Sequence, residues 1–149
     1  MPLYVGFAPV ASDARRSPRP TRTAVLLAAF TPVGPRRTGR RLDGWLPVAM
    51  QNPRLMGMWG VIQKAAVEGS RAPSALRMAL RVNPRLTDTR TEPGGPMSAA
   101  GILTQYVDYA RSAGDPGVHE LFVDFGQTVA SLAERVDLAG CFIEGVHRG

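Results

Sequence analysis

Cysteine and lysine are almost missing from this 149-residue chain: Cys141 is the single cysteine and Lys64 the single lysine. One cysteine excludes an internal disulfide framework and a multi-cysteine metal site on count alone. Cys141 lies among apolar residues of a helical pattern, so it reads as a buried structural thiol in a reducing compartment. No apolar run is longer than the stretch from Ala24 to Phe30, far short of the roughly 20 residues needed to cross a bilayer. The first residues, MPLYVGFAPVASDARR, place no basic residue before their apolar piece and break it with Gly6 and Pro9. That is not the layout of a secretory signal, and the expected location is the cytoplasm.

What remains is 44% hydrophobic and 20% charged, ordinary for one soluble domain with its own core. The net charge is +6 and the positive charge is nearly all arginine. Guanidinium forks bind phosphate well, which admits a polyanion partner. The charges fall in two groups, Arg15, Arg16, Arg19 and Arg22 in a proline-containing stretch, and Arg36, Arg37, Arg40 and Arg41 after an apolar run. The second group reads as a solvated helix face or phosphate-facing turn, with a polyanion site as the alternative. Neither group sits in a helix-turn-helix, zinc-finger or RNA-binding signature, so nucleic acid is not the expected partner.

Residues 1–22 read as an irregular lead-in rich in proline and arginine. From residue 23 to 149, short apolar runs alternate with longer helical patterns, as in βα units of a parallel sheet. The strands expected are 24–30 (AVLLAAF), 43–48 (DGWLPV), 75–82 (ALRMALRV) and 119–125 (HELFVDF). The unbroken apolarity of the first suits burial on both faces. In the third, Leu76, Met78, Leu80 and Val82 alternate with Arg77 and Arg81, so one face is polar. Thr31 and Pro32 announce a helix, which Gly34 and Pro35 disturb until it settles over Arg36 to Arg41. Leu55, Met58, Trp59, Ile62, Ala65 and Ala66 share one helical face before Gly69. A cofactor box and plain core packing both suit that stripe, and packing is the commoner meaning. Residues 83–98 form a loop longer than most βα connections. A helix over 98–114 takes Ser98 as its cap and Ala99, Ile102, Leu103, Tyr106 and Ala110 as its stripe. In the last helix Ser131 and Glu134 form a capping box, and Leu132, Val136, Ala139, Ile143 and Val146 form the buried face.

Four βα units are half of a closed barrel, which takes eight strands and about 250 residues. An open four-stranded sheet leaves two unpaired edges. The sequence therefore predicts an α/β chain that two copies, or an additional segment, complete.

Three consecutive pieces carry a resemblance: AAFTP at 28–32, RRTGR at 36–40 and DGWLP at 43–47. They are similar in order and spacing to the turn after the fifth strand, the following helix and the sixth strand of the luciferase-like monooxygenase superfamily. There the turn commonly reads Gly-Gly-Phe-Thr-Pro, the helix Arg-Arg-(Ala or Thr)-Gly-Arg and the strand Asp-Gly-Trp-(Leu or Ile)-Pro. LRVNP at 80–84 and HELFVDFGQT at 119–128 resemble the seventh and eighth strands. The resemblance implies the carboxy-terminal half of a (β/α)8 TIM barrel, a partial barrel of about four βα units corresponding to strands 5–8.

It further implies an oxidoreductase or monooxygenase acting on a small organic substrate with FMN or the deazaflavin coenzyme F-420. The form would be truncated or split, needing a second copy or a complementary half-barrel. A non-catalytic remnant or self-associating module of the same fold is the alternative. By position, Ala29, Phe30 and Thr31 present the cofactor-binding amides of the phosphate turn, with Ala28 and Ala29 standing where the family pattern has glycines. Arg81 and Asn83 are weaker candidates for a substrate anion or the cofactor tail, against a surface ion pair and a loop-capping amide. Asp124 and Gln127 are the other polar groups at strand ends. His119 and His147 read as structural, no metal constellation is expected, and no catalytic residue is identified, because the early strands that carry such groups in the family are not among the matched segments.

Overall fold

The computed structural model describes residues 3–5, 24–90 and 101–148. Its elements are β1 (Leu3–Val5), β2 (Leu26–Leu27), α1 (Val33–Arg41), β3 (Gly44–Trp45), α2 (Asn52–Glu68), β4 (Arg77–Val82), α3 (Leu103–Ser112), β5 (Glu120–Val123) and α4 (Leu132–His147). The strands form one five-stranded sheet in the order β1-β5-β4-β3-β2, and every pairing is parallel. Strand–helix alternation therefore has the predicted consequence. The addition is β1, which lies inside the segment read as an irregular lead-in and pairs with the last strand, Leu3 opposite Leu121 and Val5 opposite Val123.

The alternation in β4 decides where the core lies. Met78, Leu80 and Val82 are buried together with Leu121 and Val123 of β5, Trp45 of β3, and Leu55, Trp59 and Ile62 of α2. Tyr106, Val107 and Ala110 of α3 and Ala139 and Phe142 of α4 complete that cluster. On the alternate positions Arg77 and Arg81 are exposed, while Glu120, Phe122 and Asp124 are half-buried. Ala79 is the buried exception on that side. A parallel sheet is normally covered on both faces; here α2, α3 and α4 supply the cluster on one.

Tyr109 ties α3 to the loop before α2. Its hydroxyl donates to the Met50 carbonyl at 2.8 Å and accepts from the Met50 amide at 3.1 Å. Burial raises the pKa of this phenol above its ordinary value of 10.0, although the Met50 hydrogen bond opposes the shift. A raised folded-state value means that the neutral phenol's contribution is complete below the ordinary tyrosine range and is lost as pH rises through the raised value. Tyr109→Phe leaves two buried backbone groups without a partner, and the expected cost is about 1–3 kcal/mol. Denaturant titrations at pH 7 and pH 11 check both points: the difference between parent and variant should shrink at the higher pH, and an equal difference at both would contradict the assignment.

Several boundaries and faces differ from the sequence reading. The run 24–30 is strand only at Leu26–Leu27; it is an edge of the sheet, half-buried rather than enclosed, with Val25 and Phe30 exposed. In 43–48 the strand is Gly44–Trp45, with Val48 rejoining β4 through a bridge to Arg81. Helix α1 begins at Val33, so Pro35 is its third residue, where the amide of any residue would lack an intrahelical partner and proline is tolerated. Ser98 and Ala99 lie outside the described residues; α3 starts at Leu103, and Gln105 accepts from the Ile102 amide at 3.3 Å. Half of the capping box expected for α4 forms: the Ser131 hydroxyl accepts from the Glu134 amide, while the Glu134 carboxylate accepts from that hydroxyl instead of from the Ser131 amide. The buried face of α4 forms in part: Ala139 is buried and Val146 packs against the core, but Leu132 and Val136 are 52% and 50% exposed, and Phe142 takes the central place. Cys141, expected to be buried, is exposed, because it lies one residue from Phe142 on the outward side of the helix. It should react with a thiol reagent in the folded protein at the rate of an accessible thiol; labelling only under denaturing conditions would contradict that placement.

Candidate active site

In parallel α/β sheets the loops at the carboxy ends of the strands converge at one edge of the fold, and ligands bind there. Here that edge collects the turn after β2 (Ala28 to Pro32), the segment Leu46 to Val48 after β3, Asn83 after β4, and Asp124 to Gln127 after β5.

The β2–α1 turn is held by packing. Gly34 allows it: a Cβ there would lie 2.5 Å from the Cβ of Ala29. The Gly34 amide closes the turn on the Thr31 carbonyl at 3.0 Å, and Thr38, fully buried, donates to the Gly34 carbonyl at 3.0 Å. Trp45 reaches back from β3 to donate its indole N–H to the Ala29 carbonyl at 3.0 Å. Asp43 accepts from the Val25 amide at 2.9 Å. Ala29 itself is buried, whereas Phe30 and Thr31 are exposed. No bond to the amides of Phe30 and Thr31 forms among the described residues.

The donor set of this turn suits an anion in part. Two amides without a partner among the described residues and the Thr31 hydroxyl are donors of the kind that a phosphate or carboxylate accepts from. Pro32 and Pro35 have no N–H to give, and that of Gly34 is engaged within the turn. Ala29, also expected to present its amide, in addition holds the turn through its carbonyl, which accepts from Trp45, and through its side chain beside Gly34.

Two strands away, about 10 Å across the sheet, Arg81, Asn83 and Asp124 come together. Arg81 donates from Nε to Asn83 Oδ1 at 3.0 Å and pairs through Nη2 with Asp124 Oδ2 at 3.4 Å. The other oxygen of Asp124 accepts from the Gly126 amide at 2.8 Å, so Asp124 holds the turn after β5 and aims Arg81 at once. Gln127 is exposed on the short 3₁₀ turn that follows. The Arg81–Asp124 pair is half open to solvent. Arg81→Gln is therefore expected to change stability by less than about 1 kcal/mol, measured by urea unfolding; a larger loss would make the pair a structural clasp.

Two anchors of the region carry no signal in the sequence. Tyr106 accepts from the Arg85 amide through its hydroxyl, and Thr128 accepts from the Leu86 amide while donating to the Pro84 carbonyl at 2.6 Å. They pin the start of the long loop after β4 to α3 and to the turn after β5. His119 sits at the opposite end of β5, its Nδ1 accepting from the Met78 amide at 3.1 Å and its ring edge-on to Trp59. His147 ends α4. Among the described residues no group of three or more His, Cys, Asp or Glu side chains could hold a metal ion, and no helix is long and apolar enough to cross a membrane.

No family model matches the sequence, and no curated protein matches it. Among solved structures the chain is similar to the coenzyme F-420-dependent tetrahydromethanopterin reductase of Methanopyrus kandleri, at 14% identity and a TM-score of 0.58, over 78% of this chain and 49% of that one. It is similar to an F-420-dependent secondary alcohol dehydrogenase solved with an F-420–acetone adduct, at 11% identity and a TM-score of 0.65, over 85% and 49%. It is also similar to a long-chain alkane monooxygenase, at 12% identity and a TM-score of 0.56, over 84% and 42%. The chain thus spans about half the length of the solved structures it matches, and its fold is part of theirs.

Proposed function

We propose that this chain is a luciferase-like oxidoreductase that works with FMN or the deazaflavin coenzyme F-420 on a small organic substrate, once further strands close the sheet. The observation that carries the reading is the β2–α1 turn, where the Phe30 and Thr31 amides and the Thr31 hydroxyl lie at the carboxy edge of a parallel sheet without partners among the described residues. The likeness in fold to F-420-dependent enzymes and a monooxygenase supports it.

When bound, the cofactor ring supplies hydride transfer or oxygen insertion. Phe30 and Thr31 would hold its phosphate. Arg81, held by Asn83 and Asp124, offers a second positive point along the same edge for a substrate anion or the cofactor tail. Residues on the additional strands, from a second copy or a complementary half-barrel, would exclude water.

A second reading, a non-catalytic self-associating module of the same fold, is favoured by Pro32 and Pro35, which leave the anion turn short of donors. Fluorescence titration of the full chain with FMN and with coenzyme F-420 separates the two. The oxidoreductase reading expects saturable binding, weakened about tenfold by Thr31→Val, the loss of one hydrogen bond to a charged group. Self-association with no binding of either cofactor would establish the module instead.

A further inference from the structure

Helix α1 has two unlike faces. Pro35, Thr38 and Gly39 are buried against the rest of the fold, and Gly39 lies so close to α2 that a Cβ would meet the Ile62 carbonyl oxygen at 2.1 Å. Arg36, Arg37, Arg40 and Arg41 occupy the rest of the helix surface. Together with Pro32 and Val33 these four arginines line an open cleft of about 750 Å³. Among the described residues only Arg40 of the four has an acidic partner, Glu68 at 3.0 Å. Arg36, Arg37 and Arg41 form no hydrogen bond or ion pair among the described residues. Concentrating four like charges on two helical turns with an acidic partner for only one of them among the described residues is unfavourable for an isolated helix, and neither the packing of α1 nor the turn at Thr31 uses the other three.

We infer that this arginine-lined cleft is a binding site for a small oligophosphate, with the phosphate chain lying along the outer face of α1. In a helix, Arg36 and Arg40 stand about 6 Å apart along the axis, as do Arg37 and Arg41. The two rows make a ladder that meets successive anionic groups, and guanidinium forks suit phosphate oxygens in pairs. Three features favour a small ligand over nucleic acid. The cleft volume lies within the range of small-molecule sites. The ladder runs only about 7.5 Å from Arg36 to Arg41, far less than a duplex footprint. Among the described residues no aromatic side chain lines the cleft to stack an unpaired base.

The test is calorimetric titration of the full chain with inorganic tripolyphosphate, orthophosphate and a mixed-sequence DNA duplex. Expected is saturable 1:1 binding of tripolyphosphate, at least about tenfold tighter than orthophosphate and weakened by salt. Replacing both Arg36 and Arg37 with glutamine should weaken it at least about tenfold, with an unchanged melting curve because both side chains are exposed. Arg54→Gln, an exposed arginine outside the cleft, should leave it within about twofold. Thr31→Val should also leave it within about twofold, which keeps the outcome separate from the fate of the cofactor turn. Failure of tripolyphosphate to saturate, or equal affinity in the Arg36/Arg37 variant, overturns the assignment. So does a duplex that displaces tripolyphosphate and binds more tightly with a steeper salt dependence, which would make this a nucleic-acid surface.

Discussion

Trp45→Ala is expected to lower the unfolding free energy by about 3–5 kcal/mol, the range for removing a large aromatic from a packed core. Trp45 is fully buried, belongs to the central cluster, and donates to the Ala29 carbonyl. Truncation empties the space between β3 and the helices and frees the turn that Trp45 holds. For a chain of this length each kcal/mol corresponds to about 2–4 °C, so the melting temperature should fall by roughly 6–20 °C. Trp45→Phe keeps most of the volume and removes the indole donor; its cost should be about 1–3 kcal/mol, the penalty of an unmade buried hydrogen bond. Thermal and urea unfolding of the two variants separate volume from hydrogen bonding. A loss below about 1 kcal/mol for the alanine variant would mean that the turn after β2 is held by something else.

The second large effect is expected at glycine. A Cβ on Gly44 would lie 2.0 Å from the Arg77 carbonyl oxygen and 2.5 Å from Leu26 Cδ2, and one on Gly39 would lie 2.1 Å from the Ile62 carbonyl oxygen. The obstructing atoms are mostly backbone, so the strands or helices themselves must separate. Gly44→Ala and Gly39→Ala should each cost about 3 kcal/mol, the upper part of the range for overpacking. At Gly57 and Gly60 of α2, an added Cβ would meet nothing within 4 Å. There alanine should stabilise by about 0.5–1 kcal/mol through helix propensity alone. Denaturant midpoints of the four variants give the comparison, and destabilisation of equal size at all four positions would contradict the close-packing explanation.

These two effects bear on what the recognisable segments mean. Thr38 and Gly39 of RRTGR, and Asp43, Gly44 and Trp45 of DGWLP, work through burial, close backbone approach and hydrogen bonds to the chain. They build the β2–α1–β3 unit, while the arginines between them line the cleft outside it. Much of the sequence that most clearly marks a likeness is thus structural, which leaves Phe30 and Thr31 of AAFTP as the part proposed to meet a cofactor.

The alternation of β4 and the stripe on α2 are legible in the sequence because each buries one regular face: Leu55, Trp59, Ile62, Ala65 and Ala66 are all buried. Strand β1 is not legible. Three residues followed by sequence that carries no periodicity give no strand signal, and their pairing partner is at the other end of the chain. The face of α4 departs from its sequence pattern because Leu132 and Val136 continue an apolar stripe that tertiary packing does not follow; α4 turns Ala139 and Phe142 inward, where Phe142 meets Phe125 edge-on. At the site, Arg81 and Asn83 are visible as strand-end polar groups. Their joining to Asp124 depends on the register of β4 and β5, which a single sequence does not display. Tyr106 and Thr128 are hidden for the same reason, since each acts through a hydroxyl on a backbone group far away in sequence.

The central claim is that the turn after β2 holds the phosphate of a flavin or deazaflavin. A crystal structure of the full chain grown with FMN or coenzyme F-420 tests it most directly. The expected result is phosphate density within hydrogen-bonding distance of the Phe30 and Thr31 amides and the Thr31 hydroxyl. Cofactor density with its phosphate elsewhere, or a protein that crystallises without cofactor at saturating concentrations of both, would contradict it.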